Sequence, residues 1–226
     1  MWGFSRETQK ISFSVLSKDD LEAIHWASLH ILETTGIRIH SQKCLGILEE
    51  AGCTIDHKNH IALIPSHLVE EALRKKSKTI RLCAQNPKYD ANLDGRHVYI
   101  TTDGNGTQTY DPNTEQRRVS TKDDIAKSAI IADALDEIHI YWPMVSAQDF
   151  PGHIRHLHDL EACFANTEKH VTFETTMRPE EALYQIEMAT AILGSKEELR
   201  KRPIISSLHC TNAPLQLHGG CIEAAL

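Results

Sequence analysis

The sequence predicts an α/β fold built on parallel strands over residues 138–226. Three successive units there follow one plan, in which an apolar strand-like run leads through a polar turn into an amphipathic helical stretch. Strands that alternate with helical patterns are typical of βαβ units, whose strands lie parallel in one sheet. The three units pair Ile138–Val145 with Pro151–Asn166, His170–Thr175 with Pro179–Leu193, and Pro203–Leu208 with Ala213–Leu226.

Residues 1–137 show a mixed α+β pattern, and we treat them as an N-terminal extension. Ser17 and Ser41 have the side chains that cap helices, and Gly36 and Gly52 stand where those helices should end. The remaining expected elements are a hairpin over 53–64, helices opened by Pro65 and by the capping-box residues Thr121 and Asp124, and strand-like runs at 79–84, 91–93 and 97–101.

The glycine-rich loop Thr102–Gly106 is interpreted as a turn between strands. It lacks the Lys-Ser/Thr of a phosphate-binding P-loop, and no helix begins after it. Asp-Gly and Asn-Gly are turn dipeptides, and the next residues, 107–110, again have a strand-like pattern.

The last helical stretch carries no stop signal. Neither Gly nor Asn follows it, and its final turn, Ala224–Leu226, has no basic residue. We therefore expect the chain to be the front part of a longer α/β protein.

Composition narrows the class of protein. The 226 residues include 24 basic and 31 acidic side chains, a net charge of −7, which argues against a nucleic-acid-binding surface. No apolar run is long enough to span a membrane, and the N-terminus lacks a secretory pattern, so we expect a cytoplasmic protein. The six cysteines form no Cys-x-x-Cys pair, which is typical of buried small apolar residues; Cys210, just past a strand, is the one that stands apart.

Five segments of the chain carry a resemblance when they are taken in order. They are Leu29–Ile39, Leu48–Cys53, the stretch with Asp111-Pro112, Arg117-Arg118, Thr121 and Asp124, Ile131–Ile138, and Asn212–Leu217. Together these segments resemble the trimethylamine methyltransferase family, the amine and betaine methyltransferases that use a corrinoid. The resemblance runs from about residue 18 to the end of the chain, and the order of the segments makes it specific.

This resemblance implies a fold, an activity and a partner. The fold would be an incomplete TIM (β/α)₈ barrel of about three βα units at 138–226, preceded by the α+β extension at 1–137, since a whole barrel takes roughly 250 residues. The activity would be methyl transfer from trimethylamine or a betaine-like quaternary amine to the cobalt of a separate corrinoid protein. No cofactor would be bound directly, because the corrinoid (cobalamin) is carried by the partner, and we expect the full-length form to be a homo-oligomer.

Such a reaction needs a pocket that holds a cation and directs a methyl group outward, a task for aromatic faces and carboxylates. In a TIM barrel these groups lie at the C-terminal ends of the strands. The candidate substrate-binding residues there are Gln148, Glu174, His209 and Asn212. Strand alternation places Glu174 opposite Val171 and Phe173, hence toward the barrel interior, with a substrate cation or Arg178 as its counter-charge. The structural alternative is that these side chains cap the strand ends or bond to the next helix.

Two other classes of function stay open from the sequence. One is a metal-dependent TIM-barrel hydrolase with His153, His156, Glu174 and His209 as ligands, although the spacing of His153 and His156 departs from His-Glu-x-x-His and favours a solvated helix face. The other is a non-catalytic truncated fragment. Our expectation is that no metal is bound and that the catalytic residues are not identifiable from this part of the chain.

Overall fold

A computed structural model describes residues 14–173 and 176–226 of the chain. Within these residues there are eight α-helices and eleven short strands. The helices are α1 (Lys18–Thr34), α2 (Gln42–Glu50), α3 (Ser66–Lys75), α4 (Lys122–Ala134), α5 (Gly152–Asn166), α6 (Pro179–Leu193), α7 (Lys196–Lys201) and α8 (Gly219–Ala225). The strands are β1 (Ile37–Ile39), β2 (Thr54–Asp56), β3 (Ile61–Leu63), β4 (Ile80–Leu82), β5 (Ala91–Leu93), β6 (Gln108–Asp111), β7 (Gln116–Val119), β8 (Ile140–Tyr141), β9 (His170–Phe173), β10 (Ile205–Ser207) and β11 (Gln216–Leu217).

The predicted parallel sheet is present as β8–β9–β10. β9 lies in the middle, pairs in parallel with β8 through Val171 and Tyr141, and pairs in parallel with β10 through Val171 and Ile205. Helices α5 and α6–α7 connect the strands, so the α/β prediction is confirmed. The (β/α)₈ barrel is not: within 14–173 and 176–226 the sheets are small and none closes. The division of the chain at residue 137 stays a prediction.

Strand β8 covers Ile140–Tyr141, whereas the sequence predicted a strand over Ile138–Val145. The glycine-rich loop lies beside the remainder of that segment. Thr101 bridges Ile140 and Gly106 bridges Val145, both in parallel, so residues 101–106 run beside β8 as an irregular edge. A Cβ on Gly104 would collide with the carbonyl oxygen of Pro143, which accounts for the glycine at this close approach. The segment is therefore part of the sheet edge rather than the simple turn predicted, and the strand expected at 97–101 is reduced to its last residue.

The last helical unit also differs from its prediction. The pattern predicted a helix over 213–226, but α8 begins only at Gly219. Before it, Asn212 and Gln216 form an antiparallel bridge around Pro214, and β11 then pairs in parallel with β1. The result is a four-stranded sheet in the order β11–β1–β3–β2, in which the predicted hairpin supplies β2 and β3. Residues 212–217 take part in this bridge and in β11, so the helix begins only after them.

Capping of the N-terminal helices follows the sequence. The Ser17 hydroxyl accepts a hydrogen bond from the Asp20 N–H, and the Asp20 carboxylate accepts one from the Ser17 N–H. The Ser41 hydroxyl accepts a hydrogen bond from the Cys44 N–H. Gly36, at φ 77°, occupies the left-handed region that ends α1. The apolar face of α1 is only partly covered, since Leu29 is buried but Leu21 and Ile24 are each 54% exposed.

Two hydrophobic clusters hold the described residues together. The larger packs α4 and α5 against β8 and β9; its buried residues are Ile125, Ala129, Ala132, Tyr141, Ala147, Leu160, Ala162, Cys163, Val171 and Phe173. The smaller packs α2 against β1 and β3; its buried residues are Ile39, Cys44, Leu45 and Ala62. Val171 and Phe173 lie in the larger cluster, as the strand alternation predicted. Five of the six cysteines are buried and Cys210 is exposed, as expected.

Polar links tie the parallel sheet to the N-terminal part. Arg202 donates to both carboxylate oxygens of Asp90, at 2.8 and 3.0 Å, and to the Ala84 carbonyl at 3.0 Å. Burial raises the pKa of Asp90, but the hydrogen bonds from Arg202, Ala84 and Arg81 outweigh it, and the net pKa is lowered. The carboxylate therefore stays charged at the junction between β4–β5 and the segment before β10.

No helix in residues 14–173 and 176–226 combines the length and apolarity needed to cross a membrane.

Candidate active site

A polar cavity of about 170 Å³ lies where β8 and β9 end and α5 and α6 begin. Because the strands are parallel, their carboxyl ends meet at one edge, and the first turns of the following helices project beside them. The loop after β8 contributes Ser146, and the edge segment 101–106 contributes Asn105. Phe173, the last described residue of β9, is the aromatic part of the wall.

Asp159 is the buried carboxylate of this cavity, with only 5% of its surface exposed. Its two oxygens accept hydrogen bonds from the Ser146 hydroxyl at 2.9 Å and the Ala147 N–H at 2.8 Å. Burial raises the pKa of Asp159, although these two hydrogen bonds oppose the shift. Asp159 thus fixes the loop after β8 to α5 and keeps an acidic group at the cavity.

Glu181 lies across the cavity from α5, in the first turn of α6. The Arg178 Nε donates to its Oε1 at 2.8 Å, and the Met177 N–H reaches its Oε2 at 3.3 Å. The Nδ1 of His156, on α5, lies 3.9 Å from the same Oε1. Burial lowers the pKa of His156, while the charge of Glu181 opposes that shift, so the imidazole is neutral at pH 7.

The far wall of the cavity is formed by uncharged polar groups. Gln185 is buried on α6, and its side-chain oxygen lies 3.3 Å from the Thr176 hydroxyl. That hydroxyl is also 3.2 Å from the hydroxyl of Ser207, at the end of β10. Residues from the ends of all three parallel strands therefore contribute to the cavity or to its immediate support.

Three of the four predicted site residues lie in the described part of the chain, and these three are not brought together in one cavity. Gln148 lies beside the cavity, because its side chain donates to the Ser146 carbonyl at 3.3 Å. His209 is exposed, with Nδ1 3.2 Å from the Cys221 sulfur, and Asn212 is exposed in the bridge to Gln216. Glu174 lies outside the described residues. The assignment of these four to substrate binding stays a prediction.

The residues proposed as ligands in the metal-hydrolase alternative show no metal geometry. Across 14–173 and 176–226, no group of three or more His, Cys, Asp or Glu side chains is arranged to hold a metal ion. His153 is exposed, and His156 faces Glu181 instead. Glu174, the fourth ligand in that hypothesis, is not among the described residues.

Sequence reasoning missed three of the cavity residues as a group, namely Asp159, Glu181 and Gln185. It considered only the residues that directly follow each strand. The sequence pattern that could have identified them lies about one helical turn beyond the strand ends. In each βα unit, charged side chains occupy the first two turns of the helix, which lie beside the edge of the sheet. His156 was considered as a metal ligand and, in preference, as part of a solvated helix face; its side chain is in fact mostly buried beside Glu181.

Other depressions in the described surface are larger, and one of about 410 Å³ between α4 and α5 is also lined by charged side chains. One of about 340 Å³ beside β1 and β11 has Arg38 as its charged side chain, and an apolar groove of about 530 Å³ lies between α2 and α3. Convergent titratable groups with shifted pKa values are a better indicator of a functional site than size. We therefore take the cavity at Asp159 as the candidate site.

Its size and charge define what it can hold. An apolar cavity of about 150 Å³ accommodates benzene, so this one suits a ligand of a similar, small size. Two carboxylates, Asp159 and Glu181, are matched by two guanidiniums, Arg155 in the cavity wall and Arg178, which pairs with Glu181. A small ligand with polar groups matches this lining and the Phe173 ring.

Comparisons with known proteins agree with the resemblance. The family profile described as trimethylamine methyltransferase (MTTB) matches residues 5–226. Trimethylamine methyltransferase MttB of Desulfitobacterium hafniense (strain DSM 10664 / DCB-2) is 35% identical over 201 residues, which are 89% of this chain and 40% of the relative. Trimethylamine methyltransferase MttB2 of Methanosarcina mazei is 30% identical, covering 92% of this chain and 43% of the relative.

A third relative carries a different substrate in its name. Glycine betaine methyltransferase of Desulfitobacterium hafniense (strain Y51) is 25% identical over 205 residues, 90% of this chain and 42% of that protein. The chain thus spans less than half the length of the curated relatives it matches. The family assignment does not depend on that length, because the profile matches almost the whole chain. The predicted resemblance is therefore confirmed, and the chain belongs to the trimethylamine methyltransferase family.

Proposed function

We propose that this chain is part of a methyltransferase that moves a methyl group from a methylated amine to the cobalt of a corrinoid protein. The observation that carries the proposal is the family match over residues 5–226, together with relatives named for trimethylamine and glycine betaine. Because the chain covers about 40% of those relatives, the activity is proposed for the whole protein to which these residues belong.

The cavity supports this proposal by its chemistry. A methylated ammonium that gives up a methyl group leaves as a neutral amine, so the pocket's main tasks are to hold a cation and to fix its orientation. Asp159 and Glu181 supply carboxyl groups, whose charge Arg155 and Arg178 offset, and Phe173 supplies an aromatic face. The dense hydrogen bonding of Asp159 keeps this charge in one place, which is what orientation of a small ligand requires.

The proposal extends to the parts beyond this chain. We infer that the β8–β9–β10 sheet is the first portion of a (β/α)₈ barrel whose remaining units follow in the longer relatives. The methyl acceptor is a corrinoid bound to a partner protein, and the full-length enzyme assembles as a homo-oligomer. On this view the carboxyl ends of β8, β9 and β10 lie at the C-terminal mouth of the barrel, where TIM-barrel sites lie.

The test uses the protein expressed from the whole reading frame that encodes these residues. The protein is incubated with cob(I)alamin and, in separate reactions, trimethylamine, dimethylamine, glycine betaine and tetramethylammonium. Donor-dependent loss of the cob(I)alamin absorbance is expected for at least one of them. Reactions without donor and without protein are the controls. Failure of all four donors to react would overturn the proposal.

A further inference from the structure

Two cysteines lie close together beyond the end of β10, outside the cavity at Asp159. Cys210 is exposed, whereas Cys221, the third residue of α8, is 4% exposed, and both are free thiols. The backbone N–H of Cys210 donates to the Cys221 sulfur, and Nδ1 of His209 lies 3.2 Å from the same sulfur. Because the Cys210 sulfur belongs to the residue whose N–H makes this contact, rotation about its Cα–Cβ bond brings the two sulfurs within reach of each other.

The environment of the buried cysteines sets this pair apart. Burial raises the pKa of the Cys221 thiol, the N–H of Cys210 opposes that shift, and a charge on the Cys210 sulfur adds to it. Burial also raises the pKa of the other four buried cysteines, but no second cysteine contributes to their shifts. Cys210 and Cys221 are therefore the cysteines placed for chemistry between two thiols.

The backbone of α8 holds Cys221 in place. A Cβ on Gly219 would collide with the carbonyl oxygen of His40, and one on Gly220 with the carbonyl oxygen of Met177. Glycine at both positions lets the start of the helix pack directly on these two backbone segments. The Cys221 sulfur is thus fixed, while Cys210 lies in the exposed segment that follows β10.

We propose that Cys210 and Cys221 form a reversible thiol–disulfide site that reacts with low-molecular-weight disulfides such as oxidised glutathione. The exposed Cys210 reacts first, and the buried Cys221 then closes the internal bond, with His209 as the base that takes its proton. An accessible thiol beside a second, resolving cysteine is the arrangement that redox-sensitive sites use. The site is independent of the proposed methyl transfer, since no step of that reaction is needed for it.

The reaction balances as two exchange steps. The Cys210 thiolate attacks one sulfur of oxidised glutathione and forms a mixed disulfide, and the released glutathione thiolate takes up the proton that Cys210 lost. The Cys221 sulfur then attacks the Cys210 sulfur while its proton passes to Nδ1 of His209. The second glutathione leaves as a thiolate and receives that proton. Two protein thiols are thereby oxidised to one disulfide, and one glutathione disulfide is reduced to two thiols.

The bond would join the end of β10 to α8. Residues 211–220, which lie between the two cysteines, include β11, and β11 pairs with β1. Oxidation would therefore close a covalent loop around the strand that connects the parallel sheet to the four-stranded sheet.

The test uses the protein expressed from the whole reading frame. It is incubated with oxidised glutathione, blocked with N-ethylmaleimide and digested with trypsin for mass spectrometry. Residues 203–226 contain neither Lys nor Arg, so both cysteines remain in one peptide. We expect this peptide to be lighter by two hydrogen atoms and to carry no N-ethylmaleimide. Treatment of the oxidised protein with dithiothreitol before blocking should return the doubly labelled peptide.

Variants separate the roles of the three side chains. Cys221→Ser should stop the reaction at a glutathione adduct on Cys210, and Cys210→Ser should leave Cys221 unreacted. His209→Gln keeps a polar side chain but removes the base, so the closing step should slow by about tenfold or more and the adduct should accumulate. The matched control is Cys53→Ala, which removes a buried cysteine with no second cysteine beside it and should leave the disulfide unchanged.

The unaltered protein decides the matter even if a variant fails to fold, a condition checked by thermal unfolding. A Cys210 that does not react with oxidised glutathione, or an adduct that persists on Cys210 while Cys221 stays free, overturns the inference. A closing rate that is the same in His209→Gln overturns the role of His209 as the base.

Discussion

The parallel sheet and the four-stranded sheet are built from similar short strands but are buried to different degrees. Around β8 and β9, helices α4 and α5 complete a cluster of ten buried residues. Around β1 and β3 the buried cluster has four residues, and much of α1 remains uncovered. The candidate site lies on the better-packed region. A small ligand needs side chains held in fixed positions, and a dense core provides that support.

The largest expected effect comes from removing a core side chain in each region. Leu160 and Leu45 are both fully buried, the first under the parallel sheet and the second under the four-stranded sheet. Leu160→Ala should lower the free energy of unfolding by about 4 kcal/mol and Leu45→Ala by about 2 kcal/mol, since the smaller cluster can relax more readily around the cavity. Urea unfolding followed by fluorescence and circular dichroism measures both.

The same experiment tests whether the two regions unfold as one unit. We expect a single transition in both variants, because β11 joins the sheet of β1 and Arg202 is bonded to Asp90. Two separate transitions, with each substitution lowering only one of them, would contradict this and make the regions independent.

An intermediate effect is expected at the polar link between the regions. Arg202→Met leaves the Asp90 carboxylate, which is 8% exposed, without its forked partner. A buried charge that loses one partner but keeps others should cost about 2 kcal/mol. The matched variant is Arg81→Met, which removes a 57% exposed arginine from the same carboxylate. It should cost less than about 1 kcal/mol.

Thermal unfolding of the two arginine variants provides the measurement. An equal loss of stability in both variants would mean that Arg202, although it lies between the two regions, contributes no more to stability than the exposed Arg81. A greater loss for Arg81→Met would reverse the order that burial predicts.

The smallest effect is a pH dependence at the start of α4. Arg118 forms a forked pair with Asp124 at 2.6 and 2.7 Å, and this hydrogen bonding lowers the pKa of Asp124 from its ordinary 3.8 to about 2. Because the pKa of Asp124 is lower in the folded state than in the unfolded state, its ionised carboxylate stabilises the folded protein above pH 3.8. That contribution to the free energy of unfolding is lost as the pH falls from 3.8 toward 2. Asp124→Asn should therefore cost about 1 kcal/mol at pH 6 and less at pH 3.

Asp123→Asn is the control for this pH dependence. Asp123 is exposed, and its ion pair is with its helix neighbour Lys127. Its substitution should change the free energy of unfolding by at most a few tenths of a kcal/mol. A cost of Asp124→Asn that stays constant between pH 6 and pH 3 would contradict the assignment of the shift to Arg118.

The sequence predicted the elements that local rules govern. The caps at Ser17 and Ser41, the left-handed Gly36 and the hairpin of β2 and β3 depend on side chains within a few residues of one another. Such interactions leave a pattern in the sequence, and the pattern was sufficient.

Elements that depend on distant partners could not be predicted in this way. β11 is two residues long and has no periodicity of its own; it is a strand only because β1 offers an edge to it. Residues 101–106 likewise have the composition of a turn and are ordered by β8. The candidate site follows the same rule, since His156 and Glu181 are brought together by the packing of α5 beside α6.

The pairing of β11 with β1 also sets an order of events during synthesis. His40, next to β1, and Gln216, in β11, are 176 residues apart. At ribosomal rates of about 5–20 residues per second, the edge of β1 that pairs with β11 stays unpaired for roughly 10–35 s, until β11 has been synthesised. An unpaired edge strand is a template for association with other chains. We therefore expect nascent chains that stop before residue 216 to depend on chaperones, and this dependence should end once β11 has left the ribosome.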